Sequence, residues 1–89
     1  MSDLPGAEFQ YVYMRVADQV EAEIRSGQLP YGARLPNERA MATAYGVAPG
    51  TARRAVQALR ERGLVVTLPS KGTFVLRPPE PEPTEAAES

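Results

Sequence analysis

LPNERAMATAYGVAPGTARRAVQALRERG, residues 35–63, reads as two helices joined by a tight turn at Gly46, the second helix loaded with arginine on its polar face. Ala42, Gly46 and Ala52 are spaced for two helices that cross steeply, with a small residue at the contact and a glycine free to adopt positive φ. Met41, Tyr45, Val47 and Ala55 supply further apolar positions. This is the pattern of a helix-turn-helix whose second helix enters a DNA groove.

Within that stretch, Asn37 is placed to cap the first helix, because its side-chain oxygen can accept from a free first-turn amide. Arg39 sits in the first turn, where a positive charge is locally unfavourable and is better explained by an anionic partner. Val47 is expected to be the buried residue of the turn. Ala48 takes the N-cap slot of the second helix without a hydroxyl, and Pro49 suits the first helical position. Ala52, Ala55, Val56 and Leu59 make the inward stripe. Gly50, Arg53, Arg54 and Gln57 fall on the opposite face, with Arg60 near its edge. Like charges so close repel unless an anion is present, and arginine pairs bidentately with guanine or clamps phosphate. Gln57 is suited to adenine, although an exposed glutamine on a helix equally needs no partner.

Outward from the motif, residues 9–26 carry Tyr13, Val16, Ala17, Val20 and Ile24 at helical spacing, a core stripe that Gly27 ends. Asp18, Glu21, Glu23 and Arg25 are expected at its watery side or edge. Phe9, Tyr11 and Tyr13 are either core and surface aromatics or a dimer patch. Residues 1–8 read as a flexible arm. Residues 28–36 (QLPYGARLP) are turn-rich, and Arg34 and Leu35 are expected to form a short strand against the hairpin that follows. That hairpin joins 64–67 (LVVT) to 73–76 (TFVL) through a five-residue tip whose one charge is Lys71. A lone loop lysine is usually solubilising, but after a helix-turn-helix such a hairpin is a wing that reaches the minor groove or backbone, with Gly72 permitting close approach. Residues 78–89, proline-rich and acidic, read as a disordered tail. It is either a solubiliser or a weak competitor for the arginine face.

Composition narrows the function. With no cysteine and no histidine among 89 residues, disulfides, zinc sites of the usual ligands and His-based triads are excluded. No carboxylate cluster suits a metal, and no paired carboxylates suit hydrolysis, so neither enzyme activity nor a cofactor is expected. There is no signal peptide pattern and no apolar run long enough to span a membrane, so the expected location is cytoplasmic. The net charge of −1 hides a strong asymmetry. Residues 1–33 carry two basic and five acidic side chains; residues 34–77 carry eight basic against Glu38 and Glu61, a net +6; residues 78–89 carry four glutamates. A basic middle between acidic ends is the footprint of a polyanion binder.

The order helix, turn-rich link, helix-turn-helix, wing resembles the winged-helix DNA-binding domain of the GntR family of bacterial transcriptional regulators. The resemblance is carried by IRSGQL from Ile24, GARLPNER from Gly32, YGV from Tyr45, TARRAV from Thr51, and RGLV and KGTFV from Arg62 and Lys71. It implies an α+β fold of three helices and a small antiparallel hairpin over residues 9–77, binding double-stranded DNA. By the same resemblance Arg39, Thr51, Arg53, Lys71 and Gly72 contact DNA, joining Arg34, Gly50, Arg54 and Gln57 as candidate site residues. Two departures stand out: Ala48-Pro49 replaces the usual Ser/Thr-Arg, and Tyr31 replaces a proline before Gly32. Family members usually carry a C-terminal effector-binding and dimerising domain, which residues 78–89 do not supply. The expected partner is double-stranded DNA, an inverted-repeat operator bound by two copies as a weak homodimer or a dimer formed on DNA, with no small-molecule effector evident in the sequence. The alternative is a winged helix serving protein interaction or DNA architecture.

Overall fold

Three helices precede a two-stranded hairpin in the computed structural model, which describes residues 5–77 and their side chains from residue 11 onward. Helix α1 spans Pro5–Ser26, α2 Glu38–Tyr45 and α3 Pro49–Glu61; strands β1 (Val65–Leu68) and β2 (Gly72–Val75) pair antiparallel. This is the expected winged helix-turn-helix. The acidic tail and residues 1–4 lie outside the described residues. So does the side chain of Phe9, one member of the suggested dimer patch.

Each apolar stripe read from spacing packs into one core. Val16, Ala17, Val20 and Ile24 of α1 are buried, and so are Met41 and Ala42 of α2 and Ala52, Ala55, Val56 and Leu59 of α3. Leu64, Val65 and Val75 close the core from the hairpin, while Tyr13, Tyr45 and Val47 pack on it half-buried. Val47 therefore packs at the edge of the core and is not fully buried.

The turn works through Gly46, whose φ of 69° lets its N–H reach the Thr43 carbonyl (3.3 Å) and the Val47 N–H reach that of Ala42 (2.9 Å). This is a Schellman-type closure, which needs a left-handed residue after the helix. The same pair of bonds ends α3: Gly63 N–H to Arg60 (3.0 Å) and Leu64 N–H to Leu59 (3.0 Å), with both leucines fully buried. At the start of α2 the Asn37 Oδ1 accepts from Ala40 N–H at 2.8 Å, the expected cap. Ala48 holds the N-cap geometry of α3 (φ −74°, ψ 154°) with no side-chain bond. Ala48→Ser should therefore raise stability, by about 0.5–1 kcal/mol, since the backbone is already where a capping hydroxyl works. Urea denaturation of both chains checks this; an unchanged or lower midpoint would mean that the serine hydroxyl finds no first-turn amide.

Three boundaries differ from expectation. Helix α1 begins at Pro5 and not at Phe9, because proline at a first helical position forfeits no hydrogen bond and starts the helix inside the supposed arm. The hairpin register pairs Leu68 with Gly72, so the tip is three residues long rather than five, closed by Lys71 N–H to Leu68 O at 2.9 Å. The short strand before α2 is a single bridge, Arg34 to Phe74, flanked by Leu35 N–H to Thr73 O and Val75 N–H to Ala33 O, both 2.8 Å.

The acidic side of α1 holds the other helices. Arg62, at the end of α3, meets Asp18 Oδ1 at 3.0 Å and Glu21 Oε1 at 2.6 Å. Glu21 also accepts from Arg25 Nε at 2.8 Å, and these two guanidinium bonds, Arg25 first, keep its carboxyl below the usual carboxylate range. Tyr45 of α2 donates its hydroxyl to Glu23 at 2.9 Å; burial and that carboxylate push the phenol up to about 12. These contacts orient the helix-turn-helix against α1.

Candidate nucleic-acid interface

A groove of about 660 Å³ opens between the start of α2, the outer face of α3 and the hairpin. Arg34, Arg39, Arg53 and Arg60 line it, with Glu38 the one acidic residue among its lining. Four positive side chains thus come from four local structures: the link, the first turn of α2, the middle of α3 and its last turn. Convergence of this kind concentrates positive potential in one concavity.

Each arginine is held differently. Arg53 Nε lies 3.3 Å from both carboxylate oxygens of Glu38, in a pair whose side chains stay 65% and 47% exposed. Arg60 Nη1 donates to Thr67 Oγ1 at 3.0 Å, and Thr67 shares a hydrogen bond of 2.8 Å with Thr73 across the hairpin. Arg39 is exposed in the first turn of α2. Arg34 lies across Gly72, the two touching closely enough that an added Cβ would meet its Nε at 2.7 Å.

Of the site residues expected from sequence, Arg34, Arg39, Arg53 and Gly72 meet in this groove. Gln57 is exposed on α3, Lys71 is exposed at the hairpin tip, and Gly50 is half-buried in the first turn of α3. Two of the expected residues lie away from the groove. Thr51 is only 5% exposed and belongs to the buried side of α3. Arg54 turns back to α1, its Cζ 4.3 Å from the Tyr13 ring centroid, and its Nη1 is buried without a hydrogen-bond acceptor. A guanidinium over an aromatic face is attracted by the ring quadrupole, which draws this side chain away from the groove. Within the protein the α3 arginines Arg53, Arg54 and Arg60 meet Glu38, Tyr13 and Thr67 respectively, of which Glu38 alone supplies a counter-charge.

Gly72 also has an internal neighbour, since its bare Cα faces the Arg34 side chain. Arg60 and Glu38 are charged groove residues that were not among the candidate site residues, although Arg60 was placed near the edge of the α3 arginine face. The signal for Arg60 was present, since seven residues after Arg53 it returns to the same helix face.

The fold matches a known family over most of the chain. The family described as "Bacterial regulatory proteins, gntR family" matches residues 12–75. The chain belongs to the GntR family. Among relatives, RmpR of Mycobacterium gastri is 42% identical over 69 residues, covering 75% of this chain and 25% of that protein. The HTH-type transcriptional repressor NagR of Bacillus subtilis is 34% identical over 67 residues, covering 75% and 28%. Among solved structures, the DNA-binding domain of AraR in complex with operator ORX1 superposes with a TM-score of 0.66 at 28% identity, covering 71% of this chain and 76% of that one. A GntR family transcriptional regulator from Listeria monocytogenes gives 0.70 at 25% identity, covering 86% and 62%. The GntR chain described here spans little more than a quarter of the length of the curated relatives RmpR and NagR. Among its described residues, no helix is long and apolar enough to cross a membrane.

Proposed function

We propose that this GntR-family chain binds double-stranded DNA in a sequence-specific manner and regulates transcription through that binding. The observation that carries the reading is the groove, where four arginines converge against one glutamate beside the exposed face of α3. In this arrangement α3 enters the major groove and offers Arg53 and Gln57 to base edges. Arg34, Arg39, Arg60 and the hairpin Lys71 meet phosphates, with the wing at the backbone or minor groove. The likeness to the AraR domain crystallised with its operator supports the same docking. Two copies on an inverted repeat would place their recognition helices about one helical turn apart.

Selection of bound sequences from random duplex DNA tests specificity and symmetry together. A selected inverted repeat is expected, and recovery of unenriched DNA would leave an architectural role instead. With Arg34, Arg39, Arg60 and Lys71 each neutralising a phosphate, at about −0.9 per contact, the log–log slope of affinity against salt should be about −4. Absence of duplex binding at low salt would sink the reading and favour a winged helix that contacts protein.

A further inference from the structure

Gly72 opens β2 with a φ of +122°, and it is the one described glycine whose added Cβ would collide with a neighbour. That neighbour is the Arg34 side chain: Nε would lie at 2.7 Å, and Cζ and Nη2 at 3.4 Å. Contacts under 3.0 Å cannot be kept, so the guanidinium occupies space that any other residue at 72 would take. The other end of Arg34 is fixed too. Its backbone forms the bridge to Phe74, between the bonds that tie Ala33 to Val75 and Leu35 to Thr73. The root of this long side chain is thereby fixed by an isolated bridge, and its guanidinium lies in the room that the bare Cα of Gly72 leaves. Among the described residues Arg34 has no carboxylate partner, in contrast with Arg53 and Arg62. Its donors stay open at the groove.

We propose that Gly72 is a positioning residue for Arg34: the bare Cα seats the guanidinium across the foot of the wing and aims it at a DNA phosphate. Arginine pays a large rotamer entropy when a contact immobilises it, and a seat formed before binding removes part of that cost. Its planar fork of donors suits the two free oxygens of a phosphodiester. The inference rests on the DNA-binding reading above and assigns the wing glycine an internal task within it.

A double-mutant cycle tests the seat: the natural chain, Gly72→Ala, Arg34→Ala and the double variant, each titrated with nonspecific duplex at low salt. Arg34→Ala should weaken binding roughly five- to tenfold, the loss of one charge-assisted contact. Its salt slope should become shallower by about 0.9, the share of one phosphate. Gly72→Ala should approach the same two changes, yet add almost nothing once Arg34 is already alanine. The strain of alanine at φ +122° is present in both backgrounds, so it cancels in the cycle. Equal further losses from Gly72→Ala in both backgrounds would overturn the assignment. A second readout needs no DNA: nitrogen-15 relaxation of the Arg34 Nε–H in the free chain. It should report a restrained side chain that loosens in Gly72→Ala, and a freely mobile Nε in the natural chain would overturn the seat. Failure of the natural chain to bind duplex would instead reject the DNA reading and leave the relaxation result to decide the seat by itself.

Discussion

Leu59→Ala should destabilise the domain by about 2–5 kcal/mol, the range for removing a fully buried leucine and leaving a cavity. The site is poorly able to collapse. Among the described residues, five of the fifteen buried apolar ones are alanines, with Ala17, Ala52 and Ala55 completely covered, and Leu59 is among the largest fully buried side chains beside Met41, Leu64, Val20 and Val75. Small residues bring the helices close, so little slack remains for neighbours to move into a void. Leu59 also sits where α3 closes, its carbonyl accepting from Leu64, the next large core residue. Alanine favours helix, so helix propensity works against the loss and the measured cost is one of packing. Small domains have a margin of about 5–15 kcal/mol, and each kcal/mol moves Tm by roughly 4–8 °C at this size. Thermal and urea melts of the two chains measure the effect. A loss below about 1 kcal/mol would show that the helices relax around the void, which contradicts the tight crossing described here.

The parts of this fold that were legible in the sequence are those set by local chemistry. Gly46, Asn37, Ala48-Pro49 and the apolar stripes act within a turn or a helix period, and each reappears with its own hydrogen bonds or burial. What escaped depends on side chains that cross between elements. Arg53 and Arg54 are adjacent on one polar arc, but about 100° of helical rotation separates them. That rotation sends Arg53 to Glu38 of α2 and lets Arg54 reach Tyr13 of α1. Glu21 and Glu23 looked like solvated charges, and only the folded chain brings Arg62 and Tyr45 to them. Gly72 was read as a tip residue because strand ends are not marked in the run Leu68-Pro69-Ser70-Lys71-Gly72. The cross-strand register, not composition, places it in β2 opposite Leu68.

Arg53→Ala should then have the largest effect on recognition, losing about 1–3 kcal/mol on the preferred site and flattening the choice at one base position. The Glu38 pair does not compete seriously with this role. Both partners are about half exposed or more, and exposed ion pairs are worth about 0–1 kcal/mol, less than a bidentate pair with a base. Glu38 instead keeps the guanidinium extended over the groove in the free chain and releases it cheaply. Lysine at 53 would keep the charge without the fork, so Arg53→Lys should retain nonspecific affinity and still lose discrimination. Lys71→Ala gives the contrasting pattern, a similar weakening on all sequences, because a phosphate contact carries no base information. The measurement is the random-duplex selection repeated with each variant beside titrations on the selected site. An unchanged sequence preference after Arg53→Ala would mean that the exposed face of α3 does not read the bases, and the docking of α3 in the major groove would have to be abandoned.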